Sequence, residues 1–152
     1  MRQAGVSLIE SLIALLLISI ALLGIAGLQL VTLQDARDAR WRGEATSLAA
    51  AALERMRASP DQAGAFVIDY VDNTFPNCGG GGGICGGMNN WLSEVQRMPN
   101  GGAKIAVTKD GDMERVTISL RWRQQPPEAG DPLPTCGTDA ASGGCVMLET
   151  RL

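Results

Sequence analysis

The sequence predicts an α+β fold: a long N-terminal helix whose later half packs on a small antiparallel sheet. Three observations predict it. The run from Ser11 to Gln34 contains no charged residue. Beyond it, Trp41, Ala45, Leu48, Ala49, Ala52, Leu53 and Met56 recur at steps of mostly three and four, one face of an amphipathic helix. Farther on, Val116, Ile118, Leu120 and Trp122 alternate with other residues, the period of a strand with one buried face.

The first element is the apolar run from Val6 to Gln34. As a helix rising about 1.5 Å per residue, Ser11 to Gln34 spans about 36 Å. That exceeds the ~30 Å hydrocarbon core of a bilayer, so the run is long enough to cross one. A cleaved secretory signal has an apolar core of about 7–15 residues followed by a small-residue cleavage site. This run is longer, carries Glu10, and is followed by no A-x-A site. Glu10 is the only charged side chain between Arg2 and Asp35. An acid in hydrocarbon costs about 2.5–3.5 kcal/mol on insertion scales, so a partner for it is expected. Gly24 and Gly27 interrupt the run. They read equally as sites of close helix packing and as a weak point costing ~1 kcal/mol each relative to alanine.

The helix continues past the apolar run. Asp35, Arg37, Asp38, Arg40, Glu44, Glu54 and Arg57 occupy positions off the apolar stripe. Ser59-Pro60 ends it, because proline disfavours helical geometry in the residue before it. The expected organisation is therefore a leader at 1–5, an apolar half-helix at 6–34, an amphipathic half-helix at 35–59 and a globular domain at 60–152.

In the globular part, Phe66 to Val71 reads as a short extended segment. Phe75 to Gly87, FPNCGGGGGICGG, reads as a loop. It lacks the Lys and Ser/Thr of a phosphate-binding loop. Asn89 or Asn90 is expected to cap a short helix with Trp91, Leu92, Val95 and Met98 on one face. Pro99-Asn100-Gly101-Gly102 ends it. Ile105 and Val107 mark a strand, Asp110-Gly111 a tight turn, and Val116 to Trp122 a longer strand. Pro126 to Gly144 is a Pro- and Gly-rich loop. Val146, Leu148, Thr150 and Leu152 mark a last strand, for a sheet of three or four in all.

The chain has a net charge of −3, four cysteines and no histidine. The charge argues against a general nucleic-acid binder. Loss of residues 1–5 removes Arg2 and leaves 12 Lys+Arg against 16 Asp+Glu, a net charge of −4. Cys78, Cys85, Cys136 and Cys145 all follow Tyr70. An even count in Gly-rich loops indicates two disulfides in an oxidising compartment. The spacings are not C-x-x-C pairs and no imidazole is present, so no metal site is expected. Of the three possible pairings the local one is expected, Cys78 with Cys85 and Cys136 with Cys145. Each would contribute roughly 2–3 kcal/mol. Arg2 favours a cytoplasmic amino terminus, whereas Arg37, Arg40 and Arg42 pull the other way. The cysteines place the globular part in the oxidising compartment.

The absence of histidine excludes Ser-His-Asp and Cys-His catalysis. Asp110 and Asp112 flank a glycine and read as turn chemistry. No enzyme and no cofactor are expected. Arg115, Arg121 and Arg123 read as ordinary charge on the solvent face of the long strand, so no nucleic acid is expected as a partner.

A leader ending in glycine, the pattern VSLIE at Val6 to Glu10 and the apolar helix after it together resemble a type IV pilin precursor. The globular half is similar to the PilV-like minor pilins, through WLSEVQRMPNGG at Trp91 to Gly102, VTISLRW at Val116 to Trp122 and CVMLE at Cys145 to Glu149. The resemblance implies cleavage by a prepilin peptidase between Gly5 and Val6, and N-methylation of Val6. It implies residence in the inner membrane with the globular domain in the periplasm, then incorporation into an extracellular fibre. Other minor pilins and the major pilin would be the partners, and Glu10 would meet the amino terminus of a neighbouring subunit. Two features depart from the family pattern: Val6 stands where phenylalanine or methionine is frequent, and the helix has glycines where many major pilins have a proline. The expected function is a minor pilin that primes pilus assembly. The alternatives are a pseudopilin of a type II secretion system and a tip-displayed adhesin or DNA-uptake subunit.

Overall fold

The computed structural model describes residues 7–72, 74–78, 82–111, 113–123, 136 and 143–152. The chain divides into two compact units, Met1–Arg37 and Asp38–Leu152. Helix α1, Leu8–Arg57, contributes to both.

In the first unit α1 is apolar on every side. Leu8, Leu15, Leu22, Leu28 and Leu33 are all exposed. Two hydroxyls of this stretch turn back onto their own helix. The Ser19 hydroxyl donates to the Leu15 carbonyl at 2.8 Å, and the Thr32 hydroxyl to the Gln29 carbonyl at 2.9 Å. Such back-bonding satisfies a hydroxyl without water, so the surface offered outward is nearly all hydrocarbon.

In the second unit the later half of α1 supplies one wall of the core. Ala45, Ala49, Ala52, Leu53 and Met56 are buried, with Trp41 and Leu48 partly buried beside them. Three alanines along one stripe let other elements approach the helix axis closely. Val116, Ile118, Leu120 and Trp122 belong to the same core and are fully buried. The helix ends at Arg57, whose guanidinium bonds Glu54 Oε1 at 2.7 Å and Thr150 Oγ1 at 2.7 Å.

A short 3-10 helix, Pro60–Phe66, comes next. The extended segment expected from Phe66 reduces to Ile68, which exchanges two backbone hydrogen bonds with Ile105. Proline at the start of a turn has its φ already set, and burial of Ala63 and Phe66 holds the turn in place.

Helix α2, Gly83–Val95, begins well before the expected cap at Asn89 or Asn90. Part of the glycine-rich stretch is therefore helical. Its propensity is poor, but Ile84, Cys85 and Met88 reach the core from it. The disulfide from Cys85 to Cys78 ties its first turn down. Trp91, Leu92 and Val95 continue the buried face, and the Trp91 indole N–H donates to the Leu48 carbonyl at 2.8 Å. Phe75 stacks on Trp91 and meets Phe66 edge-on, centroids 6.4 and 5.9 Å away.

The sheet has three antiparallel strands in sequence order: β1 Gly102–Asp110, β2 Met113–Arg123 and β3 Gly143–Arg151. Asp110 pairs with Met113, and Gly111 takes φ +70° between them, a conformation that costs glycine little. Gly144 lies opposite Trp122. A Cβ at this position would run into the Trp122 ring, so the large indole requires glycine across from it. Val146 and Leu148 extend the core face along β3.

One expectation fails at the sheet. Arg121 and Arg123 do not lie on a solvent face with Arg115. They retain 8% and 3% of their exposure, and Ser119 on the same strand retains 7%. Tyr70 covers Arg121, and the Cys136–Cys145 disulfide holds Cys136 close by, its Sγ 3.7 Å from the Leu120 carbonyl oxygen. Arg115 bonds Glu149 across the strands at 2.9 Å. Arg121 and Arg123 are therefore covered, and the three arginines form no common surface patch.

Candidate functional site

The site begins at the start of α1. The Ser7 carbonyl accepts from the backbone N–H of Glu10 at 3.0 Å and of Ser11 at 3.2 Å, opening the helix. This puts Glu10 in the first turn, where the positive end of the helix dipole favours a carboxylate. Glu10 is exposed, and among the described residues it has no ion-pair partner. Gly5 and Val6, the expected processing and methylation positions, lie outside the described residues.

The apolar surface after Glu10 is the larger part of the site. Within α1 one stretch is long and apolar enough to cross a membrane, and none of it is buried inside the molecule. Such a surface needs lipid or other apolar helices around it. At Gly24 and Gly27 nothing comes within 4 Å of a built Cβ. Both glycines are open to the outside, available to whatever packs there.

The four cysteines pair locally, Cys78 with Cys85 and Cys136 with Cys145. Both bonds staple the globular unit, one at α2 and one beside β2 and β3.

A second cluster, around Tyr70, carried no signal in the sequence. The Arg121 guanidinium lies over the Tyr70 ring at 4.0 Å and the Lys104 ammonium at 6.0 Å. Asp69 accepts from the Tyr70 backbone N–H at 2.7 Å and pairs with Lys104 at 3.3 Å. The backbone N–H holds the Asp69 carboxyl below the ordinary carboxylate range, against some desolvation, with Lys104 and Arg121 adding to the effect. Desolvation raises the Tyr70 phenol and lowers Arg121. Tyr70 stands alone in a loop with no periodic context, so its role as a cover for Arg121 was not legible from spacing.

Residues 1–26 match the family model for the prokaryotic N-terminal methylation motif. No curated protein and no solved structure matches the chain. The motif supports a type IV pilin-like or pseudopilin-like chain, one processed by a prepilin peptidase and assembled with pilins. With the apolar helix, it indicates membrane anchoring and then assembly. Residues 27–152, including the whole sheet, lie outside the match.

Proposed function

We propose that the chain is a minor pilin, a structural subunit without catalytic activity that primes assembly of a type IV pilus and enters the fibre. The observation that carries this reading is the coincidence of the methylation motif at 1–26 with an apolar helix that none of the described residues covers. Prepilin peptidase cuts between Gly5 and Val6, and the new amine of Val6 is methylated. The protein waits in the inner membrane with its disulfide-bonded unit in the periplasm. It then leaves the bilayer for a bundle of like helices formed with other minor pilins and the major pilin.

Glu10 acts at that transfer. A bilayer core of about 30 Å takes up about 20 helical residues. The charge-free run from Ser11 to Gln34 is longer than this. In the membrane, then, Glu10 can stay at the surface at little cost. In a dry bundle it cannot, and an unpaired buried carboxylate costs more than a paired one. A subunit docked in the correct register sets Glu10 against the Val6 amine of its neighbour; one out of register leaves both charges bare. Glu10 thus selects register, while apolar contact supplies adhesion. The test is Glu10→Ala in the full chain: leader removal continues and recovery in sheared fibres falls. Normal recovery of that variant contradicts the pairing.

The motif equally accommodates a pseudopilin of a type II secretion system. Loss of surface fibres without loss of protein secretion, on deletion of this chain, separates the pilus reading from that one.

A further inference from the structure

The four cysteines bond as nearest neighbours along the chain, Cys78 with Cys85 and Cys136 with Cys145, at separations of seven and nine residues. Each of the other two pairings needs two long loops, the shortest being the 51 residues from Cys85 to Cys136. In an unfolded chain, the chance that two residues meet falls roughly as the −3/2 power of the loop between them. The two short loops therefore close about 13- to 20-fold more readily than the shortest long one. Summed over every possible pair of these cysteines, about nine in ten first bonds are native ones. After a native first bond, the two remaining cysteines have only each other.

The residues between the cysteines remove the stiffness that handicaps a short loop. Five glycines and Ile84 separate Cys78 from Cys85, and GTDAASGG separates Cys136 from Cys145. Neither stretch contains proline, and a Gly-rich chain is the most flexible kind. The glycine run at 79–83, which is no phosphate-binding loop, thus has a use in ring closure. The folded protein supplies the reason for early closure. All four cysteines are half-buried, and Cys78 and Cys85 pack against the core. Thiol–disulfide exchange needs a thiolate that its partner can reach. The unfolded chain offers that access, whereas re-pairing after folding would have to reopen the core.

We propose that a disulfide donor oxidises the reduced chain directly to its native pairing before the globular unit folds, with no isomerase, and that the glycine run serves closure of the Cys78–Cys85 bond. For each bond, one cysteine thiolate attacks the donor disulfide, forming a mixed disulfide and releasing one donor thiolate. The second cysteine then attacks the protein-bound sulfur of the mixed disulfide and releases the other. Two electrons pass to the donor and two protons leave the cysteine thiols, so the donor ends as two thiols.

The experiment reduces and unfolds the full chain in detergent and urea, adds oxidised glutathione, and blocks the remaining thiols at intervals. Trypsin cuts after Arg57, Arg97, Arg123 and Arg151 but nowhere between bonded cysteines. Each native bond therefore lies within one peptide, 58–97 or 124–151, and every other pairing joins the two peptides. The expected result is joined peptides in about one molecule in ten, against about two in three for random pairing. On dilution from urea, protein disulfide isomerase leaves the native yield within about a tenth of its value without the enzyme. A joined fraction above about one in three, or a native yield that the isomerase raises by more than about a fifth, overturns the proposal. In G80P/G82P the first loop is stiffened, and because closure is read in the unfolded chain, the variant's own folding does not enter. Closure of Cys78–Cys85 is expected to slow more than about twofold while Cys136–Cys145 keeps its rate. An unchanged Cys78–Cys85 rate overturns the role of the glycine run.

Discussion

Removal of the Cys136–Cys145 bond, as C136S/C145S, is expected to destabilise the globular unit by a calculable amount. The two cysteines are nine residues apart. Closing a loop of that size removes chain entropy from the unfolded state worth about 2.7 kcal/mol at room temperature. The shorter Cys78–Cys85 loop, separation seven, gives about 2.5 kcal/mol. Against a typical total of about 5–15 kcal/mol for a small domain, either loss is large. The assay is urea unfolding of the full chain in detergent, read by fluorescence. Trp91 and Trp122 are buried in the globular unit and report its unfolding. With a urea slope of about 1–3 kcal/mol per molar, the midpoint falls by about 1–3 M. A reductant opens both bonds in the native protein and the remaining Cys78–Cys85 bond in the variant. The difference between the two midpoints then closes. An unchanged midpoint in C136S/C145S, or a difference that persists fully under reduction, refutes the loop-entropy account of this bond.

Other perturbations derive from the packing. Gly144→Ala drives a Cβ into the Trp122 ring; overpacking of this kind costs about 1–3 kcal/mol, seen as a lower unfolding midpoint that Trp122→Leu in the same chain partly restores. Trp91→Phe deletes the N–H that reaches the Leu48 carbonyl, and loses about 1 kcal/mol for the hydrogen bond with more for the smaller ring; an unchanged urea midpoint contradicts this. The Asp69 carboxyl is held low by the Tyr70 backbone N–H, so its contribution to stability is present above the unfolded carboxylate pKa and disappears as pH falls through the lower folded value. Asp69→Asn is therefore less stable than the native protein near neutrality, and equally stable in strong acid; a gap that is constant with pH contradicts this.

Much of this architecture was legible from local pattern, because the decisive forces act at short period. The stripe from Trp41 to Met56 and the alternation from Val116 to Trp122 both line the core, since burial of apolar area imposes the helix and strand periods directly. The first turn of α2 was not legible. Gly83 to Gly87 is rich in a residue of poor helical propensity, and contacts from Cys85 and Met88 to distant elements decide its conformation. Arg121 and Arg123 misled for the same reason. A strand pattern reports which face is apolar, not what later folds over the polar one, and here Tyr70 covers Arg121 with Cys136 close by. At the candidate site the acid of Glu10 and the uncovered helix stood out because a charge beside hydrocarbon is rare. The cluster at Asp69, Tyr70 and Lys104 depends on a loop reaching across a strand, and no spacing rule encodes that.

Cleavage before Val6, with methylation of the freed amine to serve Glu10 of a neighbour, is the step on which the subunit's role depends. Mass spectrometry of the protein recovered from fibres of its host tests it most directly. The expected chain begins at Val6, is one methyl group heavier at that amine, and has all four cysteines bonded. A chain still beginning at Met1, or one beginning beyond Glu10, contradicts it.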